Sequence, residues 1–159
     1  MMHGHSMRHT SQRGMTLLEL IIATSILLIL ASAALPVSRM AIKRQKEFEL
    51  REYLREMRSA IDRYKDAADK NLIQVELGTE GYPKDLNVLV NGIELATAKE
   101  RRVRLLRRIP VDPMTGRTDW GLRSVQDDPK SGSWGGQNVF DVYSRSSGTA
   151  LDGSRYADW

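Results

Sequence analysis

The chain has 159 residues, 41% of them hydrophobic, which is enough for one modest globular core and not for two. Its net charge is +4, but Arg8 and Arg13 precede the first apolar run, and from Met15 onward 22 basic residues face 20 acidic ones. That balance makes no case for nucleic acid. Cysteine is absent and the histidines, His3, His5 and His9, all lie in the first ten residues, so a trimmed chain has no imidazole base, thiol nucleophile or soft metal ligand; an enzyme is not expected.

Residues 1–14 are polar and read as disordered. Met15 to Leu35 is an apolar run of 21 residues with one charge, Glu19. As a helix it roughly matches a hydrocarbon core of about 30 Å. Beyond Pro36, a place for a bend, Phe48, Leu50, Leu54, Met57, Ile61, Tyr64 and Ala68 recur at threes and fours. The spacing predicts one long helix from Met15 to Leu72, apolar in its first half and amphipathic in its second.

An amphipathic helix needs a cover for its apolar stripe. "GTEGYP" (78–83) breaks the helix, and "KDLNVLVNG" predicts a short helical turn closed by Asn91-Gly92. Residues 93–110 are ambiguous, a short helix ending before Ile109-Pro110 being one reading. Turn signals at "DPMTG" and "SGSWGG" then separate two strand-like runs, Trp120–Val125 and Asn138–Tyr143. An extended piece is expected at Tyr156–Trp159, after a tight turn at Asp152-Gly153. The expected class is α+β: one long N-terminal helix packed against a small antiparallel β-sheet.

Three readings compete for the N-terminal segment. "ASA" (31–33) suits a signal-peptide cleavage site, and an uncleaved anchor is a second reading. Neither gains from Glu19, since an ionised acid in a bilayer costs roughly 2.5–3.5 kcal/mol. The third rests on the residues themselves: "RGMTLLELIIATSILLILASAALP" resembles the N-terminus of type IV pilin-like proteins, with glycine, an apolar residue, threonine, two apolar residues and glutamate before an apolar helix. Pro36 also falls where that family usually has a proline.

The resemblance implies a cleaved leader over 1–14, a membrane and assembly helix half over 15–36, and a periplasmic pilin-like domain over 37–159. A prepilin peptidase would cut between Gly14 and Met15 and N-methylate Met15. Thr16 and Glu19 would serve filament assembly, Glu19 neutralising the terminal amine of a neighbouring subunit. A buried carboxylate and a buried ammonium are each costly alone and tolerable together. Arg39, Lys43, Arg44 and Lys46 make the downstream flank at least as basic as the upstream one. Charge asymmetry alone therefore does not place the N-terminus in the cytoplasm.

With no cysteine for the disulfide loop common in type IV pilins, "GYP", "RRIPVDPMTG", "DVYSRSSG" and the closing "ADW" are most similar to the major pseudopilin of type II secretion. That resemblance implies a homopolymer added to from the inner membrane, working with other pseudopilins and an assembly platform as a periplasmic piston. A type IV pilus or competence subunit, and a non-polymerising anchored periplasmic domain, are the alternatives. It also implies calcium in the final loop, where Asp152, Asp158 and Ser144 are the candidate ligands. An adjacent acidic pair is missing there, so the expectation is that a turn and hydroxyls replace the ion and no cofactor is required.

Two further features carry ordinary readings. "KERRVRLLRR" (99–108) is expected to be a solvated helix face with Val103, Leu105 and Leu106 turned inward, not a nucleic-acid patch. Trp120, Trp134, Phe140, Tyr143, Tyr156 and Trp159 are expected to pack the sheet on the helix.

Overall fold

A computed structural model describes residues 16–96 and 98–159, without the side chains of 33–38 and 98–101. The chain divides after Ala41, and Ile42–Trp159 forms a compact unit of its own.

Helix α1 spans Leu17–Asp69 and runs through Pro36. In its first part Leu17, Leu18 and Ile21 through Leu30 expose their large apolar side chains. Among the described residues no helix is long and apolar enough to cross a membrane. Described side chains of the apolar run end at Ser32, and sixteen residues from Leu17 rise only about 24 Å. The expected transmembrane half is thus not shown by the described residues.

The second part of α1 carries the core. Leu50, Leu54, Met57, Ala60, Ile61, Tyr64 and Ala68 are buried, the stripe that the threes and fours predict. Phe48 is the exception: it is 64% exposed, and Glu47, 5% exposed, holds the stripe's first place. Residue 47 lies three positions before Leu50 and seven before Leu54, whereas 48 turns about 100° further round the helix.

Helix α2, Leu86–Asn91, lays Leu89 and Leu86 on that stripe. Asp85 caps its N-terminus by accepting from the Val88 amide at 3.1 Å. Gly92 ends it at φ 93°, a left-handed backbone that glycine adopts without strain.

A short helix over 93–110 is not what forms. Strands β1 (Ile93–Leu95) and β2 (Ala98–Val103) pair antiparallel. Along β1 burial alternates, Ile93 in and Glu94 out, the period of a strand and not of a helix. Glu94 faces Arg102 across the pair and accepts from it at 2.7 Å. The "KERRVRLLRR" run is therefore largely strand and loop. Leu106 is buried and Leu105 half-buried, but Val103 is 40% exposed.

Strands β3 (Gly121–Arg123) and β4 (Asp141–Tyr143) form a second antiparallel pair inside the two predicted runs. The expected single sheet is thus two separate two-stranded sheets. Gly121 faces the Tyr143 ring so closely that a Cβ would sit 2.2 Å from it. Tyr156–Asp158 is a short 3-10 turn, not an extended piece. Trp120, Tyr143 and Tyr156 are buried as expected, whereas Trp134 and Phe140 stay 39% and 46% exposed.

Candidate functional site

Two regions hold the residues singled out above: the start of α1 and the C-terminal loop. Gly14 and Met15 lie outside the described residues. Thr16 directly precedes α1, and its hydroxyl accepts a hydrogen bond from the Glu19 amide at 3.2 Å. Thr-Leu-Leu-Glu is thus the Ser/Thr-x-x-Glu spacing of a capping box, with the threonine half of the exchange made. A carboxylate in the first turn also suits the positive end of the helix dipole. The threonine and the glutamate are therefore read together, Thr16 fixing the turn on which Glu19 is presented. The spacing itself was the signal for this role.

In the C-terminal loop the three calcium candidates do not converge. Asp152 accepts from the Ser154 amide at 2.9 Å and hydroxyl at 2.6 Å, with Arg51 at 3.9 Å. The Ser154 bonds, helped by Arg51, hold its carboxyl below the usual range. Asp158 takes both guanidinium arms of Arg155, at 3.0 and 2.9 Å. Ser144 points elsewhere, donating to the buried Asp112 at 2.6 Å. Among the described residues no three His, Asp or Glu side chains are grouped to hold a metal ion. A calcium ion needs six to eight oxygens around one point, and here Asp152 and Asp158 are each bonded to a neighbour of their own.

The loop is instead fastened to α1 by side chains. Glu47 accepts from the Leu151 amide at 2.9 Å and the Tyr156 hydroxyl at 3.0 Å. Arg51 stacks on the Trp159 ring, 4.0 Å from its centre. Arg58 donates to Asp141 at 2.7 Å, to the Val142 carbonyl at 3.0 Å and to the Trp159 carbonyl at 2.7 Å. Asp141 also meets Arg123 at 3.4 Å, so one half-buried carboxylate lies between two guanidiniums. Asp112, in the Pro-x-Asp-Pro turn, closes that turn through the Met114 amide at 2.7 Å and ties it to the end of β4 through Ser144. Neither Glu47 nor Arg58 is marked by a local motif, because their partners lie 83 to 109 residues away in sequence.

Burial and the bond to Glu47 push the Tyr156 hydroxyl up to about 12. A folded-state value raised above the ordinary 10 means the neutral phenol is favoured in the fold. Its contribution is whole below pH 10 and is lost as pH climbs through about 12. Urea midpoints measured across that window should fall more steeply for the natural chain than for Tyr156→Phe. Parallel profiles would disprove the assignment.

With this geometry in hand, the chain can be set beside known proteins. Residues 9–35 match the prokaryotic N-terminal methylation motif. The motif is that of the type IV pilin-like family, and over this segment the resemblance read from "RGMTLLEL" is met. No curated protein and no solved structure matches the chain. The match holds the junction Gly14-Met15, Thr16 and Glu19, and the C-terminal clasp lies outside it.

Proposed function

We propose that this protein is a prepilin-like structural subunit of a bacterial envelope filament, and within that class the major subunit of a type II secretion pseudopilus. The observation that carries the reading is the methylation motif over residues 9–35, with Glu19 in the first turn of a helix whose large apolar side chains between Leu17 and Leu30 are exposed. A peptidase removes residues 1–14 and methylates Met15. Residues 15–36 anchor the precursor in the inner membrane, and 37–159 stand in the periplasm. The 21-residue run Met15–Leu35 supports the anchor, being about the length a bilayer requires.

Subunits then pack their apolar helices together, Glu19 of one against the Met15 amine of another, and the growing filament moves folded cargo outward. What favours secretion over a pilus is the absence of cysteine, the "GYP" after the helix and the Pro110–Pro113 turn locked by Asp112. The role is structural and not catalytic. Nucleic acid is not expected as a partner, because from Met15 onward 22 basic residues face 20 acidic ones. A calcium ion is not favoured in the final loop, which lacks an adjacent acidic pair.

Mass spectrometry of the mature chain tests the class. The expected N-terminus is N-methylmethionine at Met15, absent when the host lacks its prepilin peptidase. An N-terminus at Ala34 would instead establish an ordinary signal peptide.

A further inference from the structure

The segment just after the apolar run is basic in a way that neither the motif nor the clasp uses. Arg39, Lys43, Arg44 and Lys46 fall within eight positions. In the Ile42–Trp159 unit, Arg44 and Lys46 are exposed and Lys43 half-exposed. Among the described residues none of the three has an ion-pair partner. The nearest acids are occupied otherwise: Glu47 by Leu151 and Tyr156, Glu49 by Gln45 at 3.0 Å.

Orientation does not account for this charge. Basic residues flanking a membrane segment favour the cytoplasmic side, whereas this flank faces the periplasm in the reading above. From Leu35 to Lys46 is eleven residues, at most about 17 Å of helix. A headgroup layer roughly 5–8 Å deep on each face and a screening length of about 8 Å put lysine and arginine side chains there within reach of lipid phosphates.

We propose that Lys43, Arg44 and Lys46 form a docking surface for the anionic headgroups of the bilayer that holds the precursor. The cations meet lipid phosphates across the headgroup layer. This rests on the membrane-anchored reading. Each basic residue near an anionic surface strengthens binding about fivefold, so three give on the order of a hundredfold at low salt. Such a surface would hold the precursor's globular unit down on the membrane until assembly lifts it away.

The full chain has no cysteine, so Gln45→Cys gives one site for an environment-sensitive fluorophore. The labelled chain is placed in vesicles of phosphatidylcholine, with or without phosphatidylglycerol, and its association is scored by co-flotation. The expected result is flotation with both vesicles, but a blue shift and loss of iodide quenching only with phosphatidylglycerol. High salt and the triple variant Lys43→Glu, Arg44→Glu, Lys46→Glu should each abolish the shift while flotation persists. Flotation with both lipids and no lipid-dependent shift would overturn the docking surface and leave the anchor standing. A shift that follows protein density in either lipid would assign the surface to a second copy and overturn it too. Failure to float with either vesicle would remove the anchored reading itself, and the docking surface with it.

Discussion

Glu47→Ala is expected to destabilise the Ile42–Trp159 unit by about 2–4 kcal/mol, measured as a lower urea midpoint with an unchanged slope. The carboxylate is 5% exposed and sits at the head of the apolar stripe, where a leucine would otherwise be expected. Removing it leaves two donors without partners, the Leu151 amide and the Tyr156 hydroxyl. The orphaned hydroxyl of the buried Tyr156 costs about 1–3 kcal/mol, the part-buried Leu151 amide costs less, and the missing side-chain atoms add a cavity. Relief from burying a carboxylate offsets part of this, which sets the upper end of the range. Glu47→Gln keeps the shape and both acceptor contacts through its carbonyl oxygen, so it should lose about 1 kcal/mol or less. A Glu47→Ala midpoint equal to that of the natural chain would show that the loop is held by something else.

The same residue shows what sequence could and could not reveal. The stripe from Leu50 to Ala68 was legible because its spacing is local and repeated. Glu47 fits that spacing as well, but a charged residue at a core position looks like a solvent-facing one until its partners are known. Those partners arrive more than a hundred residues later, and no spacing rule connects positions so far apart. Phe48 was misplaced for the complementary reason: its hydrophobicity outweighed a 100° error in its direction.

Residues 93–110 stayed ambiguous in the sequence because two strands of three and six residues are too short for alternation to stand out. Asp152, Asp158 and Ser144 were drawn together by the family resemblance, and a serine- and aspartate-rich loop looks the same in sequence whether it binds an ion or its own amides. At the other end, Gly14, Met15, Thr16 and Glu19 were legible as a group because the motif is contiguous. What the sequence reading missed there was the local reason for the threonine, the hydrogen bond that caps α1.

That capping bond sharpens the test of Glu19, for which complete loss of filament assembly is the expected result. Two roles are open to the side chain. As the fourth residue of Thr16-Leu-Leu-Glu19 it holds the position from which a glutamate or glutamine side chain bonds back to the first amide of a capping box, a role separate from the bond its own backbone amide donates to Thr16. As the partner of a neighbouring terminal amine it must carry a charge, since a buried ammonium without a counter-ion costs several kcal/mol. Glu19→Ala removes both roles and Glu19→Gln removes only the second. If charge pairing governs assembly, the two variants should both reach the membrane, be cleaved and methylated, and yet leave no filaments by electron microscopy or shearing. The glutamine variant's unpaired amine would then act at every subunit contact, so the loss is multiplied along the polymer and not confined to one bond. Should Glu19→Gln assemble at the natural level while Glu19→Ala does not, the helix cap would be the working part and the pairing role would fall. A chain that never polymerises would show no assembly difference, with Glu19→Ala inserting at least as well as the natural sequence because the carboxylate's insertion cost is gone.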